Sequence, residues 1–369
     1  MKPQGPLKGV KVVEFVGLGP APFCAMMLAD MGADVIRIDR PGAMGGGAAD
    51  VLGRGRRSIA LNLKDEADKA VCLDLIKQAD ILLEGYRPGV MERLGFGPDV
   101  ALGANPKLVY GRMTGWGQYG PLAHSAGHDI NYVSLSGALG AIGTPETPVI
   151  PLNLVGDFGG GAMYLGFGVL AALTHARTSG EGQVVDAAIV DGAASLMASQ
   201  YQLKALGLWS NDRGTNLLDG GAHFYAVYEC GDGKHISLGP LEPEFYQLFC
   251  DKAGIDPQEI PADWSGRGWD EAKAKFAELF KQKSRAEWCE LLEGTDACFA
   301  PVLSIDEAAE HPHMVERASF TEIDGVRHPS PAPRFSRTPG AIQGVAAVPG
   351  SNTDEVLADW GVQRPATAD

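Results

Sequence analysis

The chain has 369 residues, with 31 Lys+Arg against 46 Asp+Glu, a formal net charge of −15, and it is 45% apolar and 21% charged. That length holds two domains with real cores, and that balance excludes disorder, collagen and a disulfide-stapled miniprotein. The acidity also makes a nucleic-acid backbone a poor partner, because such binding neutralises phosphates with a basic face.

From the amino end, short apolar strands alternate with helical stretches. Val10–Val16, Ala33–Ile38, Ile59–Leu63, Asp80–Leu83 and Lys107–Met113 read as strands; Pro22–Met31, Glu66–Gln78 and Val90–Leu94 read as helices between them. This alternation predicts an α/β class with a Rossmann-like parallel sheet covered by helices. It continues through a Gly159–Arg177 helix, a Gln183–Ile189 strand and a helix over Gly192–Leu206. The longest apolar run, Phe158 to Leu173, is shorter than a bilayer span and carries five glycines, so it reads as a buried helix.

A second, smaller α+β unit follows. Phe224–Cys230 and His235–Gly239 flank Gly231-Asp232-Gly233-Lys234, a hairpin signal. Helices over Glu244–Ala253, Asp270–Lys283 and Ala286–Leu292 come next, the last opened by a capping box from Ser284 and Glu287. A strand over Cys298–Leu303 and a helix over Asp306–Glu310 complete it, and a final helix, Thr353–Trp360, is expected to return to the first domain. The expected division is therefore 1–190 with 330–369 as the large domain and 224–310 as the small one, joined by linkers 191–223 and 311–329. The six cysteines are scattered without a C-x-x-C pair and read as reduced core residues. Lys11, Glu14 and Asp30 interrupt the first apolar stretch, and the carboxyl end carries no S-K-L address, so a soluble cytoplasmic protein is expected.

The turn Gly17-Leu18-Gly19-Pro20-Ala21-Pro22, with Asp39 about twenty residues on, mimics a dinucleotide fingerprint. Its prolines remove N–H donors where a pyrophosphate would sit, which favours a plain tight turn. In so acidic a chain the basic residues are informative. Arg40, Lys64 and Arg87 each follow a strand, and Arg54, Arg56 and Arg57 precede the third. Ligands of open α/β sheets bind beyond the carboxyl ends of the strands, so a phosphate-bearing ligand such as coenzyme A suits such a set.

Three ionisable residues stand out. His128, in Ala126-Gly127-His128-Asp129, lies where a helix begins, at the positive end of its dipole, which suits a neutral base. Asp157 precedes the most apolar helix; it reads as an N-cap or, beside three glycines that let a ligand approach backbone, as a reactive carboxyl. Glu242 follows a strand of the small unit and opens a helix. No metal site is expected: His311-Pro312-His313 lacks an acid or thiolate at ligand spacing.

Taken together, the stretches G-V-K-V-V-E-F, A-D-V-I-R-I-D-R-P, L-L-E-G-Y-R-P-G, R-M-T-G-W-G-Q-Y-G-P, A-G-H-D-I-N-Y, N-L-V-G-D-F-G-G-G, G-Q-V-V-D-A-A and A-P-R-F-S-R-T-P resemble the family III CoA-transferase group. Within it they resemble the α-methylacyl-CoA racemases of bacterial type. The resemblance implies that His128 and Asp157 exchange a proton on opposite faces of the α-carbon of a 2-methylacyl thioester, interconverting its epimers without a cofactor. It places Glu242 against His128, from the second chain of an interlocked homodimer. It puts the CoA moiety on Arg40, on Leu61, Asn62, Leu63 and Lys64, and on Gly85, Tyr86, Arg87 and Arg93. The thioester is expected near Gly127, His128, Asp129, Ile130, Asn131 and Tyr132. The alternative within the same group is a CoA-transferase that uses Asp157 as a covalent nucleophile. Met113 and Met163 are candidates for an apolar surface that carries the acyl tail, although core packing explains either.

Overall fold

The structure is a computed structural model and describes residues 4–364. Two compact units emerge. The first is built from residues 1–136, 152–196 and 316–369, the second from 137–151 and 197–315. Segment 137–151 thus belongs with the second unit rather than the large one, and residues 316–329 belong to the first rather than to a linker.

The first unit carries six parallel strands, β1 (Lys11–Phe15), β2 (Asp34–Asp39), β3 (Arg57–Ala60), β4 (Ile81–Glu84), β5 (Val109–Thr114) and β6 (Gln183–Ala188), in the order β3-β2-β1-β4-β5-β6. Successive residues of a strand face opposite sides. Val12, Val35 and Ile81 enter one core with the Pro20–Asp30 and Tyr164–Ser179 helices, while Val13, Ile36 and Leu82 enter the other with Glu66–Gln78. Burial on both faces explains why these strands read as continuous apolar runs. Strand order reverses between β1 and β4, and a ligand crevice forms beyond the strand ends at such a switch point.

The final helix, Thr353–Trp360, does return: Val356 and Trp360 are buried beside Ile36 and Ile59, and the Trp360 indole N–H donates to Asp34 at 2.8 Å. The apolar helix expected over Gly159–Arg177 starts earlier. It opens with π-helical turns, Leu154–Met163, and continues as an α-helix to Ser179, with Leu165, Val169 and Leu173 packed in the core. This segment is long and apolar enough to cross a bilayer by length and composition alone. The helix expected over Gly192–Leu206 is two, Ile189–Leu196 and Ala198–Ala205, divided where the units divide. Residues Pro98–Ala104 add a helix with proline in its first turn.

In the second unit β7 (Ala226–Glu229), β8 (His235–Leu238) and β9 (Phe299–Val302) form an antiparallel sheet. Gly233 takes φ +75° in the turn between β7 and β8, as the hairpin requires. Helices Pro243–Ala253, Trp269–Phe280 and Arg285–Leu292 close over it around Phe224, Tyr246, Phe249, Phe276, Phe280 and Trp288. The expected capping box is present, with the Ser284 N–H donating to Glu287 Oε2 at 2.8 Å. Cys24, Cys72, Cys230 and Cys250 are buried, whereas Cys298 is exposed and Cys289 half-buried, so the all-core expectation fails for those two.

Candidate active site

The proton-transfer candidates of the first unit stand on two elements that meet beyond the sheet. His128 is exposed, in extended backbone immediately before the Asp129–Leu135 helix. Its backbone N–H donates to Asn131 Oδ1 at 3.0 Å, and its carbonyl accepts the Asn131 N–H at 2.8 Å, so the imidazole hangs from a pinned helix start. The first-turn N–H groups of Asp129 and Ile130 have no carbonyl four residues back to bond.

Asp157 is half-buried within the π-helical turns rather than at an N-cap. π-turns are uncommon and concentrate at functional sites. Here the turns accompany close backbone packing: the glycines meet protein, not ligand space. A Cβ on Gly160 would lie 2.6 Å from the Ala193 nitrogen, and one on Gly192 would lie 1.8 Å from the Gly160 carbonyl oxygen, so two backbones cross where no side chain fits. The expected ligand-facing role of Gly159, Gly160 and Gly161 is therefore replaced by helix packing. The open approach to Asp157 comes from Gly19 instead, at φ +68°, where a Cβ would stand 3.4 Å from Asp157 Oδ2. The fingerprint-like Gly17–Pro22 turn serves to bring backbone to this carboxyl.

Asp129 joins the two elements. Its side chain is buried, and Oδ2 accepts the Asp157 backbone N–H at 2.6 Å. Its Oδ1 is buried without a partner among the described residues. Burial raises the proton affinity of Asp157, and the neighbouring Asp129 carboxylate raises it further; Asn153 and His128 work against the shift. Sequence reading placed Asp129 with the thioester contacts and missed this grip, which no local pattern announces because the two residues are far apart in the chain. Replacement Asp129→Asn keeps an acceptor for the Asp157 N–H and removes the charge. Asp157 is then expected to ionise at lower pH, which NMR titration of its carboxyl carbon reads directly. A titration unmoved by the change eliminates Asp129 as a tuning group.

The basic residues sort into two sets. Arg54, Arg56 and Arg57 are spent inside the fold, on Asp30 at 2.6 Å, Glu14 at 2.5 Å and Asp34 at 2.6 Å. Arg40, Lys64, Arg87 and Arg93 are exposed, and among the described residues none of them has an acidic partner. They follow β2, β3 and β4, beyond the carboxyl ends of the strands. Arg87 lies within electrostatic reach of Tyr132, and Arg40 of Tyr86.

Other expected contacts change character. The Leu61 side chain is in the core and its N–H donates to the Asp39 carbonyl at 3.0 Å, so only its carbonyl remains free to meet a ligand. Asn62 organises the turn, accepting the Lys64 N–H at 3.2 Å, and Leu63 leans on the core. The Tyr132 hydroxyl donates to the Gly127 carbonyl and its ring packs edge-on to Trp116 at 4.7 Å, which closes the 127–132 loop from below. Ile130 and Asn131 are exposed, as is Gly85. Met113 is core, whereas Met163 is half exposed. Glu242 is exposed at the start of the Pro243–Ala253 helix, in the second unit.

The signature of CoA-transferase family III matches residues 7–355. The chain belongs to that family. An alpha-methylacyl-CoA racemase of Mus musculus is 46% identical over 362 residues, covering 97% of this chain and 94% of that protein. The alpha-methylacyl-CoA racemase of Homo sapiens is 45% identical over 364 residues, with the same coverage of both chains. The fold is that of a CAIB/BAIF family protein from Brucella suis, at TM-score 0.83 and 22% identity, covering 97% of this chain and 100% of that one.

Proposed function

We propose that the protein interconverts the 2R and 2S epimers of 2-methylacyl-CoA thioesters by removing the α-proton on one face and returning a proton on the other. The observation that carries this reading is the Asp129 grip. It ties the backbone that bears Asp157 to the helix start that bears His128, and the same burial favours a protonated Asp157. An α-C–H of a thioester is a weak acid, so a base alone is insufficient. The enolate oxygen needs preorganised donors, for which the first-turn N–H groups of Asp129 and Ile130 serve. His128 takes the proton as a neutral imidazole; un-ionised Asp157 supplies one to the opposite face, and the roles reverse for the other epimer. Glu242 orients the imidazole from a second copy of the chain. Proton transfer alone inverts the centre, so no cofactor is required, and CoA enters as part of the substrate, its phosphates on Arg40, Lys64, Arg87 and Arg93.

The second copy has its own support. Leu135, Leu154, Met163, Phe167 and Leu196 expose large apolar side chains in the first unit, with Phe167 77% exposed. These residues stand on helices that pack against one another, and exposed apolar side chains grouped in that way suit an interface. An interlocked dimer covers it, and sedimentation velocity reads the state directly: a fully active monomer overturns the assignment of Glu242 to the second chain.

A family III transferase would use Asp157 as a nucleophile. Burial beside the Asp129 carboxylate raises the proton affinity of Asp157, which works against the carboxylate form that attacks. Incubation with 2-methylacyl-CoA and a free carboxylic acid in deuterated water decides between the two. Uptake of α-deuterium without movement of CoA to the acid is expected; rapid appearance of the second acyl-CoA reverses the assignment.

A further inference from the structure

We infer that Glu84, Arg112 and Glu92 form a positioning clamp that shapes the loop bearing Arg87 and Arg93 for the phosphate end of the acyl-CoA, an inference that rests on the acyl-CoA reading above. Glu84 is the last residue of β4, is fully buried, and is registered against Arg112 of β5. One carboxylate oxygen accepts the Arg112 Nε–H at 2.8 Å, and the other accepts the Tyr86 backbone N–H at 2.7 Å. The far end of the same guanidinium donates to both oxygens of Glu92, at 2.8 and 3.3 Å.

The chain is therefore caught twice as it leaves the sheet, at Tyr86 and again at Glu92 in the Val90–Leu94 helix. Arg87 lies between the two attachments and Arg93 directly after the second. Gly89 takes φ +81° at the turn, and Arg93 Nη1 stands 3.3 Å from where a Cβ on Gly89 would lie, so the Arg93 side chain folds back over the loop. Burying Glu84 with Arg112 carries a desolvation cost that an apolar pair would avoid, which makes the arrangement a poor device for stability alone. What it supplies is direction, since the planar guanidinium fork fixes both partners. It also keeps the Glu92 carboxylate turned to Arg112 and off the two unpaired arginines.

The sign of one substitution separates this clamp from simple electrostatics. Glu92→Gln removes an acid beside an anion site, and Coulomb attraction alone then predicts tighter binding of phosphate groups. The clamp predicts the reverse, because a loop displaced by about 1 Å loses its alignment with the ligand. Calorimetry with CoA itself on the intact protein is expected to show Kd raised about tenfold for Glu92→Gln and for Arg112→Lys. In turnover the loss reads in KM for 2-methylacyl-CoA with kcat nearly retained. The N-acetylcysteamine thioester of the same acid lacks the phosphates, so its kcat/KM changes by less than about twofold. Unchanged or tighter CoA binding by Glu92→Gln overturns the clamp, as does an equal loss on both thioesters. A wild-type protein that binds CoA but exchanges no α-hydrogen sinks the racemase reading instead and leaves the calorimetric comparison standing.

Discussion

For the epimer whose α-hydrogen faces His128, His128→Ala is expected to slow exchange of that hydrogen with deuterated water by about 10³-fold, within the ~10²–10⁴-fold range of a positioned general base and equal to about 4 kcal/mol of barrier, while the other epimer still exchanges through Asp157. CoA affinity is expected to stay within about twofold, because the imidazole is one exposed side chain at a helix start and the unpaired cations Arg40, Lys64, Arg87 and Arg93 stand on other segments. The helix start survives the change, since its hydrogen bonds run from the His128 backbone to Asn131. Exchange measured by loss of the α-proton signal, with CoA binding measured separately, divides catalysis from binding. Undiminished exchange from the epimer that faces His128 removes that residue from the mechanism.

The second large effect belongs to Asp157→Asn. The amide keeps the size of the carboxyl against Gly19 and leaves the backbone N–H on Asp129. It cannot carry the proton. Epimer interconversion is expected to fall about 10³-fold in both directions, because each inversion needs both groups. Deuterium uptake, however, persists for the epimer whose α-hydrogen faces His128 and disappears for the other. That asymmetry is the mark of two proton carriers on opposite faces. If both epimers exchange equally in the variant, a single group serves both faces and the two-carrier scheme is wrong. Hydroxylamine trapping on the wild-type protein adds an independent check, since a carboxyl that only carries protons yields no adduct.

Much of the first unit was legible because a parallel sheet buries both faces, so each strand announces itself as an apolar run whose partners need not be known. Caps and turns were legible where the signal is local, as at Ser284 with Glu287 and at Gly233. The hairpin of Phe320–Ile323 and Val326–Pro329 was missed although its Asp324-Gly325 turn carries such a signal, with both residues at positive φ. The expected division takes 311–329 as a linker, and the hairpin falls within it. The π-helical start at Leu154 was illegible, because it depends on two crossing backbones far apart in sequence and not on the 3.6-residue period. The same distance hid the ion pairs. That Arg54 and Arg56 are charged is plain from the sequence, but Asp30 and Glu14, which consume those charges, become visible only once the strands are placed.

The return of Thr353–Trp360 to the sheet has a consequence for biosynthesis. The first unit is discontinuous, and Val356 and Trp360 cover apolar side chains of β2 and β3 that leave the ribosome some three hundred residues earlier. A nascent chain halted after residue 340 would already hold His128, Asp157 and the four unpaired cations, yet would present a naked flank of isoleucines to chaperones. Maturation of this enzyme is thus timed by its last helix, and a fusion that hinders that helix should reduce the yield of folded protein without touching the chemistry.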